Sequence, residues 1–67
     1  MATLKERFIQ VLEQDILVSE ESAQVVESVI PAVSENDVQE RLREVAKARR
    51  EKAEEQRELL EWVKLAY

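Results

Sequence analysis

Apolar residues recur at spacings of three and four along most of the chain, which is the period of an amphipathic helix. The first stretch predicts a helix over residues 3–17, because Thr3 and Glu6 match a capping box at its start. Its apolar stripe consists of Leu4, Phe8, Val11, Leu12 and Ile16. Polar side chains occupy the other positions, so we expect one face of this helix to be buried.

A second, shorter helix is predicted over residues 20–30. Ser19 is a suitable N-cap, and the acids Glu20 and Glu21 suit the positive end of a helix dipole. Pro31 should end this helix, because proline disfavours helical geometry in the residue before it.

A third stretch predicts one long helix over residues 35–66, with Ser34 as its cap and no helix breaker inside it. At 1.5 Å per residue this helix would be roughly 48 Å long. A compact globule of this chain length has a radius of gyration of about 11 Å. The long helix would therefore project from such a globule, and we expect it to pair with another helix.

The charges of the long helix favour antiparallel pairing with a second copy. Residues 41–52 carry six bases and two acids, a net charge of +4, and residues 53–67 carry four acids and two bases, a net charge of −2. Antiparallel pairing sets Arg50 opposite Glu55 across the two chains. The same register pairs Leu42 with Val63 and Val45 with Leu60. Two alternatives stay open: the charges only solvate an exposed helix, or the helix pairs with a different protein.

Composition narrows the possible functions of this 67-residue chain. It has no histidine, cysteine or glycine, so it lacks the usual general base, thiol nucleophile, disulfide, zinc ligands and phosphate-binding loop. We expect no enzymatic activity, no cofactor and no metal. A chain this short buries only about 60% of its unfolded surface, and oligomerisation is the support that remains.

The basic segment, residues 41–52, raises an alternative function: a helical nucleic-acid-binding regulator. The net charge of −5 argues against it, as does the acidic sequence SENDVQE at the start of the long helix. The chain has no apolar run near the roughly 20 residues of a membrane span and no signal-peptide core. We therefore expect a cytoplasmic protein.

The sequence as a whole predicts a single all-α domain, residues 1–67, forming an elongated helical bundle and an antiparallel coiled-coil homodimer. We expect a small, acidic protein–protein interaction module, such as an adaptor, assembly factor or regulator, that binds a larger protein. Trp62 and Tyr67 are candidate anchors for that partner, because aromatic residues are frequent at interfaces.

Overall fold

The chain folds into an antiparallel hairpin of two long helices, as seen in a computed structural model that describes residues 2–66. Helix α1 spans Leu4–Val29, a short 3-10 turn spans Ile30–Ala32, and helix α2 spans Asn36–Ala66. The described residues contain no strand, which confirms the predicted all-α class. The hairpin measures 50 × 20 × 10 Å and has a radius of gyration of 15.5 Å.

The prediction of two short N-terminal helices is wrong, because α1 is one helix of 26 residues that continues through Ser19. The cap at its start is confirmed: the backbone N–H of Glu6 donates to the Thr3 hydroxyl over 3.1 Å. Ser19 instead lies half-buried inside the helix, and the next residue, Glu20, forms an ion pair with Arg57 of α2. Contacts with α2 therefore override a local capping signal.

The turn between the helices is built without glycine, and no described residue has a positive φ. Pro31 lies in the 3-10 turn and ends α1 as expected. The Gln39 side chain, from the first turn and a half of α2, donates to the backbone oxygen of Val33 over 2.5 Å and to that of Ile30 over 3.4 Å. These bonds satisfy carbonyls at the chain reversal and tie α2 to the end of α1.

The two helices meet along a seam in which core residues alternate at spacings of three and four, as in a coiled coil. The seam of α1 consists of Ile9, Leu12, Ile16, Ser19, Ala23, Val26 and Ile30. The seam of α2 consists of Gln39, Leu42, Ala46, Ala53, Gln56, Leu60 and Val63, and the exposed Arg49 takes the seam position between Ala46 and Ala53. The middle of the seam is made of small residues: Ala23, Ala46 and Ala53 are all buried. Small side chains allow the two helix backbones to approach closely at this point.

The long helix α2 is close to the prediction, beginning at Asn36 and ending at Ala66. Its length is matched by α1, which runs back alongside it within the same chain. A helix of this length would project from a compact globule, but the chain forms an elongated hairpin instead. The length of α2 by itself therefore does not require a second chain.

Candidate functional site

One edge of the hairpin carries acids on α1 and bases on α2, both recurring every seven residues. The acids are Glu6, Glu13, Glu20 and Glu27, and the bases are Arg43, Arg50, Arg57 and Lys64. Glu27 pairs with Arg50 and Glu20 pairs with Arg57. These two pairs fix the antiparallel register, since seven residues back along α1 correspond to seven residues forward along α2.

The Glu27–Arg50 pair is bidentate, with the Arg50 Nε donating to Glu27 Oε2 over 2.9 Å and a second bond from the guanidinium to Oε1. The hydrogen bond from Arg50 lowers the pKa of the Glu27 carboxyl, and the positive charge of Arg50 adds to this effect. The same hydrogen bond raises the pKa of Arg50. Because both side chains are exposed, the pair serves register more than stability.

The opposite side of the hairpin is an apolar face, and it is the most distinctive surface of the molecule. In α1 it is a second row of residues at spacings of three, four and seven, displaced from the seam: Leu4, Phe8, Val11, Val18, Val25 and Val29. In α2 the corresponding residues are Val38, Val45, Ala48, Leu59 and Trp62. All of them are exposed, with Leu4 at 82% and Val25 at 62%.

Both helices contribute residues to this apolar face, and Phe8 of α1 and Leu59 of α2 line the same cleft. Charged residues interrupt the face: Asp15 lies on α1, and Arg41, Lys52 and Glu55 lie on α2. The apolar face is therefore continuous over only part of each helix.

A cleft of about 530 Å³ lies at the open end of the apolar face, where the helix termini meet. Its lining is apolar except for Lys5 and consists of Leu4, Lys5, Phe8, Leu59, Trp62 and Val63. Trp62, predicted as a partner anchor, is 60% exposed and lies beside the start of α1. Tyr67, the other predicted anchor, lies outside the described residues.

The outer surface of α2, facing away from α1 and from the apolar face, is strongly acidic. Its exposed acids are Asp37, Glu40, Glu44, Glu51, Glu54, Glu58 and Glu61. Lys47 is the base that lies among them.

The residues predicted for self-association are divided between the surfaces of the hairpin. Val63 is buried, and Leu42 and Leu60 are half-buried, on the seam with α1. Arg50 pairs with Glu27 of the same chain. Val45 and Glu55 are exposed on the side of the apolar face. The first four residues are thus already engaged within one chain.

The basic segment, residues 41–52, is partly engaged with α1. The Arg49 guanidinium donates to the Ser22 hydroxyl, and Arg50 pairs with Glu27. Lys47 lies on the acidic outer surface of α2, so the bases of this segment point to several sides of the hairpin and do not form one continuous basic stripe.

Sequence reasoning missed the apolar face, although its signal is present in the sequence. Residues 4–29 contain two rows of apolar residues rather than one, the second at spacings of three, four and seven. A helix with a single partner needs one such row, and a second row indicates a second apolar contact.

Neither helix, over residues 2–66, has a stretch both long and apolar enough to cross a membrane. Within the same residues, no group of three or more acidic side chains is placed to hold a metal ion. No protein-family model, curated protein or solved structure matches the chain.

Proposed function

We propose that the protein is a small, non-catalytic protein–protein interaction module that binds other helices through its apolar face, and that the first occupant of this face is a second copy of the chain. Two hairpins joined in this way form a four-helix bundle. The observation that carries the proposal is the set of exposed apolar residues that recurs on one side of both helices.

The size of the apolar face supports this proposal. Ten of its large apolar side chains are between 37% and 82% exposed, whereas exposed apolar residues on an ordinary monomer surface are mostly scattered singly. A standard protein–protein interface buries about 800 Å² on each partner. The apolar face extends along both helices, as an interface of this size requires.

This interface differs from the register expected from the sequence. That register used Leu42, Leu60 and Val63, which pack against α1 while the hairpin is closed. The apolar face instead uses side chains that remain exposed, among them Val45, and it leaves the seam intact. A dimer through this face adds contacts without breaking any that one chain already makes.

The larger partner expected for the protein would bind elsewhere. The acidic outer surface of α2 stays exposed when the apolar face is covered, and it suits a partner with a basic surface. The dimer would carry two such surfaces on opposite sides, so the proposed role is that of an adaptor, assembly factor or regulator.

Sedimentation equilibrium of the full chain tests the proposal with two neighbouring residues of similar exposure. Val18, 53% exposed, lies on the apolar face, and Leu17, 51% exposed, points away from it. We expect the parent to sediment at twice its chain mass of 7.8 kDa at micromolar concentration. Val18→Gln should weaken the dimer markedly, and Leu17→Gln should leave it unchanged.

A parent that sediments at 7.8 kDa at every micromolar concentration would contradict the proposal. Equal effects of the two glutamine substitutions would also contradict it, because they would show that the interface is not the apolar face.

A further inference from the structure

The cleft at the open end of the hairpin has the size and the lining of a small-molecule site. Its volume is about 530 Å³, and ligand pockets usually measure about 300–1,000 Å³. Such pockets are lined mainly by apolar and aromatic side chains, with a few polar groups that orient the ligand. The cleft fits this description, because five of its six lining residues are apolar and two of those five are aromatic. A neighbouring groove on α2, by contrast, is lined mostly by charged side chains such as Glu54 and Arg57.

The polar group in the cleft is Lys5, and it sets the charge that a ligand should carry. Lys5 is half-buried, whereas the other nine bases of the chain are exposed. Within residues 2–66, no acid lines the cleft. The Lys5 ammonium has three N–H donors, so it can bind an anionic group of a ligand in addition to a contact within the protein. A hydrogen bond between an ammonium and a carboxylate is among the stronger ones in proteins.

We infer that the cleft binds a small amphipathic anion, whose alkyl chain packs against Phe8 and Trp62 and whose carboxylate pairs with Lys5. One chain supplies all six lining residues, so the inference goes beyond the proposed function and does not depend on it. A ligand in the cleft occupies only the open end of the apolar face. The face continues toward the turn through residues such as Val18 and Val25.

Binding can be followed by the fluorescence of Trp62, the single tryptophan of the chain. Trp62 lines the cleft and is 60% exposed, so an alkyl chain beside it should shift its emission to shorter wavelength. Decanoate and decylammonium are the probes, used below the concentrations at which they form micelles, because they carry the same alkyl chain and opposite charges. We expect decanoate to bind about 10-fold more tightly. The net charge of −5 favours the cation, so a preference for the anion would identify a local base.

Two substitutions test the role of Lys5. Lys5→Gln should weaken decanoate binding about 3- to 10-fold and remove the preference for the anion. Lys64→Gln is the matched control, because it removes the same charge from an exposed position at the same end of the hairpin, outside the cleft. Octanoate, which is two methylenes shorter than decanoate, should bind the parent roughly 10-fold more weakly if the alkyl chain is buried.

The inference is supported by an emission shift that is specific for decanoate, and that Lys5→Gln weakens while Lys64→Gln does not. Equal binding of decanoate and decylammonium, or equal effects of the two substitutions, overturns it. If a second copy fills the cleft instead, the Trp62 emission will shift with protein concentration and not with decanoate. That result overturns the inference and leaves the proposed function standing. Specific decanoate binding by a chain that sediments at 7.8 kDa would support the inference and overturn the proposed function alone.

Discussion

Replacing Gln56 with leucine is expected to stabilise the hairpin. The side-chain oxygen of Gln56 is buried on the seam of α2 and accepts no hydrogen bond from any residue that the structure describes. A buried polar group without a partner costs about 1–3 kcal/mol. Since Gln56 as a whole is only half-buried, we expect a gain at the low end, about 1 kcal/mol. In a domain of this size that corresponds to a rise of roughly 4–8 °C in Tm.

Gln39→Leu is the matched control, because Gln39 is also a half-buried glutamine on the seam of α2. Its amide donates to the Val33 and Ile30 carbonyls, so leucine there should destabilise the turn by about 1 kcal/mol. Thermal and urea melts should be compared at one protein concentration, since the Tm of a dimer depends on concentration. A Gln56→Leu variant that melts at or below the parent would refute the reasoning.

Three further results are expected. Leu12→Ala should lower the free energy of unfolding by about 2–5 kcal/mol, whereas Leu17→Ala should change it little in urea melts, because Leu12 is buried and Leu17 is exposed. In an NMR titration the carboxyl pKa of Glu27 should lie below its ordinary 4.5 and return toward it in Arg50→Met. Because the pKa of Glu27 is lowered in the folded state, the pair stabilises the fold at pH values above the unfolded-state pKa. This contribution disappears as the pH falls through the folded-state pKa. Arg50→Met should therefore flatten the dependence of the free energy of unfolding on acid pH. The basic segment, residues 41–52, should show no steep salt dependence in duplex DNA binding, and a steep slope would favour the nucleic-acid alternative.

The helical class, the start of α1 and the extent of α2 could be predicted from the sequence because each depends on local signals. The Thr3–Glu6 capping box and Pro31 act on their own neighbours and behave as expected. The break predicted at Ser19 failed because the same serine that can cap a helix can also occupy a seam. The chain stays helical at Ser19, and the next residue, Glu20, pairs with Arg57 of α2, which lies 37 residues away in the chain.

The seam between α2 and α1 of the same chain was not predicted from the sequence. Leu42, Leu60 and Val63, which were predicted to pair two copies, lie on this seam, whereas Val38, Val45 and Leu59 are exposed. Large apolar side chains dominate the hydrophobic pattern of a sequence, so a prediction from sequence assigns them to the helix contact. The actual seam places alanines one position further along, where close packing of two backbones favours small residues, and the larger side chains form the apolar face.

Contacts between the helices become more distant in sequence from the turn to the open end. The hydrogen bond from the Gln39 side chain to the Val33 carbonyl spans six residues, whereas the Glu27–Arg50 and Glu20–Arg57 pairs span 23 and 37 residues. Closing a loop of 37 residues instead of 23 costs only about 0.4 kcal/mol more in chain entropy. The two helices are therefore expected to pair progressively, from the turn to the open end of the hairpin. The last level to close contains Leu4 and Trp62, among the largest exposed apolar side chains. Folding would then be completed at the end of the molecule that carries the apolar cleft of Leu4, Phe8 and Trp62.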